Sequence, residues 1–183
     1  MKKTWIVIII SLLSFTTSQA QIKAGFGVGF VSPSGDLADI AEGGLTITAE
    51  AGYGVLKQLD VSLLYQLDIF AEEKLGGVNL ATVKMGTVLA NARYYFREDG
   101  FQPYVGLGIG LASIKQGDYS IVSNGINVNV TGFDESNFAF RPALGFKYGI
   151  LNVHTAYLNA GKVEESTVGD LTFNIGLLFT FGG

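Results

Sequence analysis

The run from Pro103 to Ala112 constrains the fold most, because every second residue in it is small. Successive side chains of a β-strand point to opposite faces, so one face carries Val105, Leu107, Ile109 and Leu111 while the other carries three glycines and an alanine. A soluble sandwich strand has polar residues on one face, and a strand buried in a parallel sheet is apolar on both. Alternating glycines suit neither. They indicate a strand of a membrane barrel, which has lipid on one face and a lumen filled with side chains on the other.

The same alternation recurs along the chain and predicts eight strands, at residues 22–31, 44–55, 61–69, 88–96, 103–112, 138–148, 153–158 and 171–181. Three short turns, near 57–58, 97–100 and 149–152, alternate with four long connections, at 32–43, 71–80, 116–136 and 162–170. This layout predicts an all-β fold, an eight-stranded antiparallel up-and-down transmembrane β-barrel. Pro142 predicts a bulge or weak pairing in the sixth strand.

The N-terminal 20 residues predict a secretory signal peptide, because Lys2 and Lys3 precede an apolar run that ends in small residues at Ser18-Gln19-Ala20. The barrel domain is then residues 21–183. Without the first 20 residues the chain has 10 basic residues against 16 acidic ones. This acidic balance argues against nucleic-acid binding, because phosphate backbones repel a protein of net negative charge.

Within the predicted strands, all charged side chains point to the face opposite the one that carries the apolar residues. A charge that faces lipid at mid-depth costs about 2–4 kcal/mol, so this segregation favours a membrane barrel with a polar lumen. The predicted lumen network consists of Lys23, Glu50, Asp68, Asn91, Arg93, Arg141 and Lys147. A secreted soluble barrel with the apolar face turned inward is the alternative, but its solvent face would be dominated by Gly and Ala instead of charge.

The third long connection contains Asn-Gly between two alternating runs, which is a strong hairpin signal. We expect a ribbon that protrudes beyond the membrane and presents an apolar face to a partner, or that packs on lipopolysaccharide or on the other loops. The predicted interaction ribbon comprises Tyr119, Ile121, Asn124, Gly125, Ile126, Val128 and Val130.

Residues 21–183 resemble the small outer-membrane β-barrel proteins of Gram-negative bacteria, which include OmpX-, OmpW- and OmpA-barrel-like proteins and the porin-like family common in Bacteroidetes. The resemblance is most specific at residues 91–96 (Asn-Ala-Arg-Tyr-Tyr-Phe), 103–108 (Pro-Tyr-Val-Gly-Leu-Gly) and 179–181 (Phe-Thr-Phe). It implies an outer-membrane location, loops outside the cell, and a terminal aromatic strand, with Phe179 and Phe181, that the barrel-assembly machinery recognises. Gly182-Gly183 after this signal depart from the family pattern.

The sequence has few residues that could support catalysis or metal binding. His154 is the only histidine, and its sequence neighbours supply no acid and nucleophile for catalysis. With no Cys and one His, no metal or other cofactor is expected. We therefore expect a non-enzymatic protein.

Two functions stay open. The first is a structural or surface-interaction role through the extracellular loops, with membrane lipid, lipopolysaccharide and an unidentified extracellular partner. The alternative is a narrow porin-like channel or transporter for small solutes, in which four lumenal basic residues against two acidic ones favour anions. The lumenal charges either plug the barrel, since eight strands leave room for little beyond side chains, or line a thin water path.

Overall fold

A computed structural model describes residues 21–39, 42–71, 74–75, 78–79, 83–116, 119–123, 126–130, 134–163 and 166–182. Nearly all of them lie in strands. The strands are β1 (Gln21–Gly35), β2 (Glu42–Leu56), β3 (Leu59–Ala71), β4 (Lys74–Leu75), β5 (Val78–Asn79), β6 (Val83–Tyr95), β7 (Phe101–Gln116), β8 (Tyr119–Ser123), β9 (Ile126–Val130), β10 (Asp134–Tyr148), β11 (Leu151–Val163) and β12 (Ser166–Phe181), with a short 3₁₀ helix at Asp36–Asp39.

Eight of these strands form one closed antiparallel barrel in the order β1-β12-β11-β10-β7-β6-β3-β2. The first and last strands close it, from Ile22 opposite Phe181 to Gly35 opposite Val168. Without closure, the first and last strands would leave backbone N–H and C=O groups unpaired at the sheet edges. Lipid offers these groups no hydrogen-bond partners, so the closed barrel pairs them with each other. The predicted eight-stranded up-and-down barrel is therefore confirmed.

The outward face carries a continuous apolar band. On β7 this band runs from Phe101 to Leu111, and its members are exposed in the isolated chain. With a rise of ~3.4 Å per residue and a strand tilt near ~40°, it is about 25 Å tall, the height of an outer-membrane lipid belt. The barrel strands have 13–16 residues, more than the ~9–11 needed to cross a bilayer. They therefore extend beyond the belt.

The glycines of β7 face inward, each between two interior residues of its neighbours. Gly106 lies between Arg93 and Ala143, and Gly108 lies between Asn91 and Arg141. At Gly110 the approach is closest, because a Cβ there would lie 2.0 Å from the carbonyl oxygen of Val88. The alternating glycines of β7 thus leave room both for long lumenal side chains and for close contact between neighbouring backbones.

Several predicted strand ends are wrong. The connection predicted at 162–170 is a tight hairpin, since β11 continues to Val163 and β12 begins at Ser166. Similarly, β1 continues to Gly35, beyond the predicted end at residue 31, and part of the 71–80 connection forms the β4–β5 hairpin. The reason is common to all three sites: beyond the lipid belt a strand needs no apolar outward face, so polar residues there do not signal a loop.

Pro142 interrupts one ladder only. β10 pairs with β7 without a break, Pro142 opposite Leu107, whereas its pairing with β11 omits Arg141 and Pro142 and resumes at Ala143 opposite Ala156. The predicted weak pairing is confirmed, and it falls on the β10–β11 side. Proline has no N–H to donate, so its neighbour on one side loses a ladder bond.

Candidate functional site

An ion pair closes the inner end of the lumen, the end at which β1 begins, β12 ends and the short turns lie. Lys23 Nζ lies 2.6 Å and 2.7 Å from the two carboxylate oxygens of Asp60, and it also lies 5.2 Å from the ring centre of Tyr95. The two residues come from β1 and β3 and meet above the glycines of β2, Gly52 and Gly54, which stand opposite them.

A second ion pair crosses the lumen one layer further out. Arg93 Nη2 donates to both carboxylate oxygens of Glu50 at 2.9 Å, and both side chains are more than nine-tenths buried. The guanidinium also lies 4.8 Å from the ring centre of Tyr104. Asn91 joins this group indirectly, because its amide donates to Ser62 Oγ, which donates to Glu50, both at 3.3 Å.

Arg141 is the third buried cation, and its side-chain hydrogen bonds go to the uncharged Gln66 and to His154. Its Nε donates to Gln66 Oε1 at 2.7 Å, and its Nη2 lies 3.0 Å from His154 Nε2. Because a guanidinium has only donors, this nitrogen of His154 accepts the bond. Gln66 in turn donates to Asp68 at 2.8 Å. The imidazole is thus engaged by Arg141, which removes Nε2 as a free base.

The predicted lumen residues lie on the interior face, with Lys147 nearest the inner mouth. Its Nζ lies 3.4 Å from Gln102 Oε1 and it is half-buried, beside an open vestibule of about 690 Å³ that Lys23 and Lys57 also border. The other six predicted residues lie deeper, in the ion pairs and bonds above.

Sequence reasoning missed two interior carboxylates, Asp60 and Asp170, which are 3% and 0% exposed. The sequence pattern predicts Asp170 in the 162–170 connection, but the residue points to the same interior face as Thr172 and Asn174. Asp60 directly precedes the predicted third strand at 61–69, whereas β3 already begins at Leu59. Parity extended through the strand ends would have found both. With them, the predicted excess of basic over acidic lumenal residues is wrong.

Apolar side chains predominate in the outer half of the lumen, where Asp68 and Asp170 are also buried. Buried residues from all the barrel strands except β2 form a continuous cluster there and in the layers below it, namely Val31, Leu37, Leu64, Phe70, Val83, Met85, Leu89, Ala112, Ile114, Ala139, Leu158, Ala160 and Val168. Between this cluster and the inner ion pairs lies an enclosed cavity of about 20 Å³, bordered by Arg93, Arg141 and His154. That is room for about one water molecule. The described lumen is therefore a packed core.

The predicted ribbon is a two-stranded sheet beyond the barrel. β8 pairs with β9, so that Tyr119 is opposite Val130, Ile121 is opposite Val128 and Ser123 is opposite Ile126. The predicted turn residues, Asn124 and Gly125, lie outside the described residues. The backbone thus forms the expected hairpin, while its role as an interaction site stays a prediction.

Among the described residues, no group of three or more His, Asp or Glu side chains is arranged to hold a metal ion. The search of the same residues for helices long and apolar enough to cross a membrane finds none.

Comparison with protein families gives one match that covers almost the whole chain. The model of the outer membrane protein beta-barrel domain matches residues 6–181. The chain belongs to this family. As an outer membrane β-barrel it is a protein of the bacterial outer membrane, as the predicted localisation states.

Three known proteins are similar to this outer membrane β-barrel, one in sequence and two in structure. Outer membrane protein PagN of Salmonella typhimurium is 35% identical over 91 residues, which are 46% of this chain and only 38% of that protein. The crystal structure of Neisserial surface protein A matches with a TM-score of 0.65 at 17% identity, over 88% of this chain and 99% of that one. Ail, the attachment invasion locus protein of Yersinia pestis, matches with a TM-score of 0.53 at 17% identity, over 88% and 98%. At 17% identity these two solved structures share the barrel fold with this chain.

Proposed function

We propose that this protein acts at the cell surface, through the elements that the barrel holds above the lipid belt. The observation that carries the proposal is the filled lumen: interior side chains leave a cavity of about 20 Å³, so the barrel offers no path for a solute within its described part. Outer-membrane barrels place their short turns in the periplasm and their longer connections outside. The outer end is then the part of the molecule that meets other surfaces.

The apolar cluster in the outer lumen supports this role by making the strand extensions rigid. Met85, Leu89 and Ile114 are at most 1% exposed, so β6 and β7 are packed from within up to their outer ends. The β8–β9 ribbon follows β7 directly and leads into β10. A rigid base of this kind fixes where the ribbon stands, which lowers the entropy that a partner must remove on binding.

The relatives support the same class of function. Ail carries attachment and invasion in its name, and it has been crystallised with the heparin analogue sucrose octasulfate. Neisserial surface protein A is likewise named for its place at the surface. For the present chain we propose an extracellular partner that the ribbon contacts through β-strand addition or through its apolar face.

The experiment replaces residues 120–130 with a short Gly-Ser loop and measures attachment of producing cells to cultured epithelial cells and to heparin-coated plates. We expect attachment to fall to that of cells without the protein. A matched control replaces residues 74–79, the β4–β5 hairpin, with the same linker. Heat-dependent gel mobility checks that both barrels are folded. Undiminished attachment of the folded ribbon variant contradicts the proposal.

We also propose that the barrel-assembly machinery recognises Phe179 and Phe181 on β12. Their rings stack with centroids 6.3 Å apart, and Phe181 is 53% exposed on the outward face where β12 closes the barrel. A Phe181→Ala variant should give less folded barrel in cells while refolding normally from urea into detergent. Loss in both settings instead indicates a purely structural residue.

A further inference from the structure

The vestibule at the inner mouth contains two pairs of opposite charges that satisfy each other. Lys23 of β1 is bonded to Asp60, and Lys57 lies 3.5 Å from Glu98 in the turn between β6 and β7. Both lysines and Glu98 border the vestibule, whose volume is about 690 Å³. As a set these four side chains are neutral, so they offer little net attraction to a charged ligand.

Two further charged side chains border the vestibule, one of each sign, and neither forms an ion pair with another described residue. Lys147 on β10 is half-buried, and its ammonium group donates to the neutral amide oxygen of Gln102 at 3.4 Å. Asp99 is exposed in the turn between β6 and β7. An ammonium group has three donors, so Lys147 has donors left for a ligand.

Gln102 ties Lys147 to the turn that carries Asp99. Its amide oxygen accepts from Lys147, and its amide nitrogen donates to the backbone carbonyl oxygens of Arg97 and Glu98. Gln102 is also directly opposite Lys147 in the ladder between β7 and β10. The unpaired cation and the unpaired carboxylate therefore lie on neighbouring elements of the same mouth, with a neutral side chain between them.

The two unpaired charges select the class of ligand. A simple anion would be attracted by Lys147 and repelled by Asp99, and a simple cation would meet the reverse. A molecule with a carboxylate and an ammonium group a few bonds apart complements both charges. Short peptides with free termini have this arrangement. The size of the vestibule suits them, because ligand sites commonly have volumes of about 300–1,000 Å³.

We propose that the inner vestibule binds a short peptide, with the peptide's carboxylate at Lys147 and its ammonium group at Asp99. This mouth faces the periplasm, because outer-membrane barrels have their short turns on that side. Soluble peptides and the peptide chains of the cell wall both carry such groups. The lumen above the vestibule is packed, so the peptide is held at the mouth and does not pass through the barrel. The site is separate from the surface role proposed above.

The test adds alanylalanine to the isotope-labelled full barrel in detergent micelles. It follows the amide NMR signals of Gly100 and Gly149, two turn residues that border the vestibule, and both signals should shift in a saturable manner. Lys147→Gln and Asp99→Asn should each weaken binding about fivefold or more. The matched control Lys162→Gln removes the same charge from an exposed lysine of β11 and should bind as the unmodified protein does. Heat-dependent gel mobility verifies that each variant is folded.

Modified peptides test the two charges of the ligand one at a time. The methyl ester of alanylalanine lacks the carboxylate, and the N-acetylated peptide lacks the ammonium group. Each should bind the unmodified protein about fivefold or more weakly than alanylalanine does. Undiminished binding by Lys147→Gln, or of the methyl ester, overturns the site. Undiminished binding of the acetylated peptide makes the ligand a simple carboxylate and overturns the peptide assignment.

Sedimentation with purified cell-wall fragments identifies the source of the peptide. If the wall supplies it, the barrel should sediment with the fragments, and either Lys147→Gln or an excess of alanylalanine should abolish this binding. If the dipeptide binds and the fragments do not, the ligand is a soluble periplasmic peptide. Absence of both kinds of binding overturns the proposal.

Discussion

At the scale of single residues, the ion pair of Arg93 with Glu50 shows what a lumenal charge contributes. Both side chains are less than a tenth exposed, and Nη2 meets both carboxylate oxygens at 2.9 Å. Arg93→Met leaves the carboxylate of Glu50 buried, with the hydrogen bond from Ser62 Oγ but without its cation. Removing one member of a buried pair destabilises by about 3–5 kcal/mol, and we expect that loss in the free energy of unfolding by urea in lipid vesicles.

Two companions make this measurement specific. Glu50→Leu combined with Arg93→Met should recover part of the loss, because no unpaired charge is left in the lumen. Lys57→Met should change stability by less than about 0.5 kcal/mol, since the Lys57–Glu98 pair is exposed and 3.5 Å apart. If Arg93→Met lowers the free energy of unfolding no more than Lys57→Met does, the lumenal ion pair does not stabilise the barrel.

The sequence predicted most of the charged residues that enter the lumen, although not Asp60 and Asp170, and it did not predict which residues meet there. Parity is local, so Lys23, Arg93 and Arg141 were placed inside from their own strands. Partner choice depends on how far neighbouring strands are staggered in the closed barrel, which brings Lys23 to Asp60 and Arg141 to Gln66. No spacing within one strand carries that information.

At the scale of elements, β7 shows that its glycines are not equivalent. A Cβ on Gly110 would lie 2.0 Å from the Val88 carbonyl oxygen, a backbone atom, whereas on Gly106 its nearest contact would be Ala143 Cβ at 3.4 Å. Gly110→Ala must push β6 and β7 apart and should lower the free energy of unfolding by about 1–3 kcal/mol. Gly106→Ala should change it by less than about 1 kcal/mol. Urea titration of both variants in the same vesicles compares them, and similar losses contradict the close approach.

The ends of the elements were the part of the fold that the pattern missed. Within the belt each strand alternates between lipid and lumen, and the pattern located all eight strands. Outside the belt the outward residues face water, so the alternation disappears while the hydrogen-bonded ladder continues, as in Ser166–Asp170 of β12. Asp170 was lost for this reason. Gly161, with φ of 75°, lies at the register shift by which β11 reaches its final pairs with β12.

At the scale of the whole molecule, the barrel is a wall around a packed core with two different halves. Ion pairs and polar contacts fill the inner half, and apolar side chains predominate in the outer half, where Asp68 and Asp170 are also buried. Buried charges in the inner half are separated from the lipid by the strands themselves, and each has a lumenal partner in the contacts described above. The outer half resembles the interior of a soluble protein, which suits a part that projects beyond the membrane.

This packing predicts that the purified protein shows no discrete conductance in planar bilayers. Leu89 and Arg141 meet at Gly108, where a Cβ would lie 3.1 Å from Leu89 Cδ1 and 3.5 Å from Arg141 Cβ, and Leu64 borders the small cavity beside them. A variant with alanine at all three positions removes the bulk of this layer and should conduct in discrete steps, which shows that the assay detects an open lumen. Fluorescent labelling counts the inserted barrels in each recording. Discrete current steps from the unmodified protein, at an equal number of inserted barrels, would mean that the packed lumen opens. The channel function would then replace the surface role, because an open lumen is a path for solutes.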